Sequence, residues 1–317
     1  MSSILRGLGT FAGLAFAAAT ITLAQGRPRA ASARSASSTS LDSLRTRIGR
    51  RVAEVKDAVA GVAFHDLASG DSLFLNADES FHAASTMKVP VMIELYRRVD
   101  AGTLRLDQPV PLANRFSSIV DGSPYTLDPG ADSDSAAYLL IGKRVTLGEL
   151  VDHMITRSSN LATNALIDLA GAKTADATAH ALGAKNIRVL RGVEDDKAFR
   201  AGLNNTTTAR DLATLMEAIE TGRAASRASC DAMRDVLLRQ EFNGEIPAGL
   251  PPGTKVAHKT GFITAVLHDA AIVYPSGRRP YVLVVLTRGI PDETIARSLI
   301  ADISRLVYAH VMSPSAQ

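Results

Sequence analysis

Apolar side chains at Val89, Met92, Ile93 and Tyr96 recur at i, i+3, i+4 and i+7, so the chain predicts a core helix carrying Ser85 in its first turn. Pro90 falls early in that helix, where a missing N–H costs little. Upstream, the pattern predicts a helix over 41–56, then strands over 58–65 and 72–75 joined by a turn containing Ser69, Gly70 and Asp71. The middle of the chain has helical periodicity over 147–154, over 161–170 with Gly171 as its stop, and over 208–220. An irregular segment at 189–205 has the character of a functional loop. After a helix near 226–239, strands are expected over 254–259, 269–274 and 281–287, the last two forming a hairpin, and Pro291 starts a C-terminal helix. Strands at both ends of the chain, joined by hairpins, predict an α/β fold. A mostly antiparallel sheet flanked by the terminal helices (41–80 and 223–313) would carry an all-helical lobe (81–222).

At 317 residues and 46% hydrophobic content, the chain has the size and composition of an ordinary globular protein. Its formal net charge is +3, but residues 1–40 hold Arg6, Arg27, Arg29 and Arg34 and no acid. Removing those four charges leaves −1 for 41–317, so the positive balance belongs to the leader and gives no support to a nucleic-acid partner. Arg6 followed by the uncharged stretch 7–26 predicts a signal peptide over 1–33, a linker over 34–40, and a periplasmic or secreted protein. Cleavage fits after Ala24 or after Ala33; an uncleaved anchor is the alternative, because roughly twenty uncharged residues just span a bilayer.

Cys230 stands alone, so no internal disulfide is possible, and its helical run shows no activating setting; it is expected to be buried packing. The seven histidines are scattered, with neither an H-x-H-x-D nor an H-E-x-x-H spacing, so no metal is expected.

The chemistry lies in three short motifs. Ser85-Thr86-Met87-Lys88 spells S-x-x-K; a lysine three residues along a helix lies on the same face as the serine and within reach of its hydroxyl, as an activated nucleophile requires. Ser158 and Asn160 spell S-x-N in a helical region, where by themselves they also fit a helix terminus. Lys259-Thr260-Gly261 spells K-T-G at the end of an expected strand.

In that order, and with the surrounding His82–Met92 and Met154–Asn160 segments, the motifs resemble the serine β-lactamase and penicillin-binding protein superfamily, closest to class A β-lactamases. The likeness runs over about 42–312. It implies an active site between the two lobes, no cofactor, a monomeric enzyme and a small-molecule β-lactam substrate. Residue by residue, it implies Ser85 as nucleophile, Lys88 as its base, Ser158 as proton relay to the leaving nitrogen, and Asn160 as binder of the substrate amide. Lys259, Thr260 and Gly261 would bind the substrate carboxylate, and the N–H of Phe262, by position alone, would join that of Ser85 in an oxyanion hole.

A class A enzyme also needs a loop carboxylate to activate the deacylating water, and Glu194 is the candidate, with Asp195 one register away. Three features depart from the family. Lys197-Ala198 stands where Leu-Asn is usual, Ser159 replaces the aspartate of the central motif, and no arginine follows K-T-G, for which Arg288 is a possible substitute. The alternatives are a D-Ala-D-Ala peptidase or other peptidoglycan-directed hydrolase, and a penicillin-binding sensor that does not turn over. Glu194 discriminates, because neither alternative needs a dedicated deacylating carboxylate.

Overall fold

Strands from both ends of the chain share one sheet, because their apolar runs need cover on both faces. The computed structural model describes residues 29–313, with side chains from residue 40 onward. Strands β1 (Val59–Asp66), β2 (Ser72–Leu75), β3 (Lys255–Ile263), β4 (Val266–Tyr274) and β5 (Tyr281–Arg288) pair in the order β2-β1-β5-β4-β3. Every pairing is antiparallel, and β1 joins the two ends of the chain by pairing β5 in the register Val62 opposite Val285.

One face of the sheet is covered by α1 (Arg29–Ala53) and α9 (Glu293–Val311), which send Leu44, Ile48, Leu299, Ile303 and Val307 into a core with Val62, Phe64 and Leu283. Each such side chain contributes about 1.5–3 kcal/mol by leaving water. The other face carries the helical layer. Its members are α2 (Lys88–Asp100), α3 (Leu147–Thr156), α4 (Asn160–Ala170), α5 (Ala172–Ala181), α6 (Asp196–Arg200), α7 (Ala209–Glu220) and α8 (Arg227–Leu237). Helix α7 lies directly on β1, β4 and β5, and α2 runs through the layer fully buried from Lys88 to Tyr96.

The architecture is the expected one, with local differences. Residues 34–40, expected as a linker, are helical although five of the seven are Ser or Thr, and α1 starts at Arg29 rather than at Leu41, continuous with the packed Leu44–Ile48 stretch. Of the expected signal peptide, residues 1–28 lie outside the described residues, and among the described residues no helix is long and apolar enough to cross a membrane. Helix α8 packs on α2, α3 and α7, so the helical layer extends beyond 222; Cys230, Met233 and Leu237 give it its buried face. Helix α5 went unrecognised because its Ala–Thr composition carries little periodicity. Strand β3 runs four residues past Lys259, so K-T-G lies inside it: Gly261 marks a close backbone approach, not a strand end.

Candidate active site

Ser85 lies in a single 3-10 turn, Ala84–Met87, and α2 begins only at Lys88. The turn is held from below, since Ala84 is in the left-handed region at φ 45° and Thr86 Oγ1 donates to Ala83 O at 2.6 Å. It is held from the side by β3. A Cβ on Gly261 would stand 3.1 Å from Thr86 Cγ2 and 3.2 Å from Ser85 N, so any larger residue would press on the turn that carries Ser85.

Lys88 is fully buried and its ammonium donates to Ser158 O (2.6 Å), Asn160 Oδ1 (3.0 Å) and Ser158 Oγ (3.1 Å). Among the described residues no hydrogen bond joins it to Ser85, contrary to the direct contact expected from helix spacing; its three bonds go to Ser158 and Asn160 instead. Burial pushes Lys88 down to about 7, against the opposing charges of Asp132 and Glu194, so near neutrality a large share of it is a free base.

Ser158 Oγ also accepts from Lys259 Nζ at 2.9 Å, so one hydroxyl lies between two buried ammoniums. It is free to do so because Ser159, not Ser158, caps α4, accepting from Ala162 N at 3.2 Å, while Ser158 takes a left-handed φ of 59°. The serine that replaces the usual aspartate is therefore the cap, and the carboxylate comes from elsewhere in the chain. Asp132 is buried, accepting from Asn160 N at 3.0 Å, Leu161 N at 3.0 Å and Tyr138 Oη at 3.1 Å. No sequence signal pointed to Asp132, which lies 28 positions from Asn160 in an irregular stretch.

The expected loop is present, pinned where Arg188 bridges Thr206. Its lacing is by side chains. Arg191 donates to Leu203 O (2.8 Å), Gly192 O (2.9 Å) and Asn204 Oδ1 (3.0 Å), and Asn164 of α4 clamps Val193 by both its backbone groups at 2.7 and 3.0 Å. A Cβ on Gly192 would fall 2.4 Å from Asn164 Oδ1.

Glu194, which follows Val193, is left-handed at φ 57° and turns its carboxylate into the cleft, where Oε1 accepts from Asn160 Nδ2 at 2.6 Å. Burial raises its pKa, partly offset by that hydrogen bond. Asp195, the neighbouring candidate, also lines the chamber, but its carboxylate is committed: it caps α6 and accepts from Ser118 Oγ and Ile119 N, both at 2.9 Å. Lys197 reaches out to Asp121 at 2.8 Å, leaving Asn160 as the amide beside Glu194.

Two connected cavities open over Ser85. A chamber of about 670 Å³ is lined by Glu194, Asn160, Val193, Phe199 and Phe262, and a recess of about 190 Å³ runs past Ser158, Thr260 and Gly261 to Glu245 and Arg297. Lys259 is wholly buried and faces Ser158 rather than the recess, so Thr260 forms the wall there and Lys259 acts from behind it. Burial, reinforced by the charge on Lys88, holds the Lys259 pKa well below the usual lysine range. Arg288 is not the missing arginine: it pairs with Glu79 and lies 4.8 Å over the Phe81 ring. Arg297 of α9 lines the recess instead, unanticipated because it follows K-T-G by 38 positions.

His258 bonds Asp269 at 3.0 Å, and His268, pushed down to about 4 by burial and so neutral, bonds His82 O at 2.8 Å. Among the described residues no group of three or more His, Cys, Asp or Glu side chains is placed to hold a metal.

The cleft thus presents a nucleophile, two buried lysines sharing a serine, and a loop carboxylate on the same hydrogen-bonded chain, which together can transfer an acyl group to Ser85 and on to water. The family model for the beta-lactamase enzyme family matches residues 9–311. A β-lactamase of Amycolatopsis lactamdurans is 31% identical over 258 residues, 79% of this chain and 80% of that protein. Among solved structures, a PBP-A mutant in an acyl-enzyme complex with penicillin G is 31% identical at a TM-score of 0.69, covering 84% of this chain and 96% of that one. An ancestral class A β-lactamase is 27% identical at a TM-score of 0.71, covering 84% and 98%.

Proposed function

This chain belongs to the beta-lactamase enzyme family, and we propose that it is a class A-like serine hydrolase opening the β-lactam ring through an acyl-enzyme on Ser85. Ser85 Oγ attacks the lactam carbonyl while its proton passes to the neutral form of Lys88. As the C–N bond breaks, the proton carried by Lys88 reaches the leaving nitrogen through Ser158, whose hydroxyl both lysines touch. Glu194 then takes a proton from water, the water oxygen attacks the acyl carbon, and Ser85 leaves with its proton restored. Each transfer falls to a side chain of one cleft in one chain, so the reaction needs neither a metal nor a second subunit.

The observation that carries this reading is the continuous chain Lys88–Asn160–Glu194, with Asn160 accepting from Lys88 at 3.0 Å and donating to Glu194 at 2.6 Å. It couples the acylation base to a carboxylate suited to deacylation. Glu194→Gln should accept a penicillin and then stall, because removing a general base slows its step by about 10²–10⁴-fold. Mass spectrometry over time reads this: the mutant should hold the mass of the drug while the wild type sheds it. Rapid turnover by the mutant would remove Glu194 from the mechanism, and a wild type that stays acylated would favour the peptidase or sensor.

Export is part of the proposal, supported by Arg6 and the uncharged stretch 7–26. The mature N-terminus should lie between Gln25 and Arg34 in periplasmic or secreted material, and N-terminal sequencing that returns Met1 in that fraction contradicts cleavage.

A further inference from the structure

The recess beyond Thr260 ends at two charged side chains that none of these steps uses. Glu245 is 1% exposed; its Oε1 is paired with Arg297, and its Oε2 is buried with no hydrogen-bond partner among the described residues. Arg297 is held between Glu245 and Glu293, which accepts from its Nε at 2.9 Å, so two ionised carboxylates more than cancel its charge. The other charged groups facing Glu245 come from the sheet: Asp269 on β4, and His258 and Lys259 on β3.

An ionised carboxylate with one oxygen sealed off and unpaired is costly, whereas a carboxylic acid there is not. Burial and the charge of Asp269 accordingly push Glu245 up to about 7, with Arg297 and His258 opposing.

We infer that Glu245 is a specificity-determining residue of this cleft: with its carboxyl neutral, Arg297 keeps only the half-exposed Glu293 as counter-charge and the Thr260 end of the recess holds an anionic substrate group, and with its carboxyl ionised it rejects one. This rests on the proposed reaction, whose substrates bring a carboxylate to that end. Because the favourable state is the protonated one, capture is full below the Glu245 pKa and is lost as pH rises through about 7.

Binding is separated from acylation in Ser85→Ala. The dissociation constant of penicillin G for this variant should rise about tenfold from about pH 6 to about pH 9, the change expected when one charge interaction is lost. Ser85→Ala/Glu245→Gln, which keeps the acceptor for Arg297 but cannot ionise, should show a constant within about twofold over that range. A penicillin esterified at its carboxylate should bind Ser85→Ala with no such rise, a comparison that needs no substitution at Glu245. A rise that survives in the double variant assigns the titration to another group of the cleft, Lys88 or Lys259, and overturns the inference, as does a flat profile in Ser85→Ala alone. Covalent labelling of the wild type is read separately: its absence sinks the proposed reaction, while the binding profiles still decide the role of Glu245.

Discussion

Replacing Asp132 by alanine should loosen the start of α4 and retune Lys88 together. The carboxylate accepts from the first two N–H groups of α4, Asn160 and Leu161, and from Tyr138. Hydrogen bonds to a charged group contribute about 1.5–3 kcal/mol each, and leaving a buried helix start unpaired brings the expected loss to about 3–5 kcal/mol. At about 2–4 °C per kcal/mol for a domain of this size, the melting temperature should fall by about 10 °C. The same anion holds the Lys88 pKa up against burial, so its removal should move the rising limb of acylation to lower pH. Asp132→Asn keeps an acceptor but no charge, so it should recover part of the stability and show the same shift of the limb. Thermal melts and penicillin labelling rates across pH read both effects. If Asp132→Ala melts within about 2 °C of wild type, the helix-start account is wrong. If neither variant moves the limb, Asp132 does not tune Lys88.

In the wild type at saturating penicillin, where capture no longer limits, acylation should rise with pH through about 7 and then level, because burial depresses Lys88 and only its free base can take the Ser85 proton; a rate already level well below pH 6 would contradict Lys88 as base. Gly261→Ala should slow labelling by about 10–100-fold with little change in melting, since a Cβ 3.2 Å from Ser85 N must push the nucleophile turn aside; unchanged labelling would mean the turn yields freely. Tyr281→Phe should leave stability unchanged or raise it by up to about 1 kcal/mol, because the buried Tyr281 hydroxyl has no hydrogen-bond partner among the described residues; a clear loss in a chemical melt would show that the hydroxyl is bonded.

What the sequence determined by itself was local and periodic. Apolar spacing at 3.6 and 2 residues fixed the core helix after Ser85, the β1–β2 hairpin and the terminal helices, since burial of one face selects period before any partner is known. Three short motifs located Ser85, Ser158, Asn160 and Lys259 because their chemistry depends on residue type and near spacing. Only the tertiary structure decided how the groups meet. Ser159 rather than Ser158 caps α4, which leaves the Ser158 hydroxyl to both lysines. The Asp195 carboxylate is taken up by Ser118 and Ile119 while that of Glu194 reaches Asn160, in a loop held by Asn164 clamping Val193 from another element. Asp132, Glu245 and Arg297 were illegible because nothing near them in the chain marks them. Their roles exist through contacts spanning tens of residues, and a buried charge is defined by what surrounds it in space, which linear spacing does not encode.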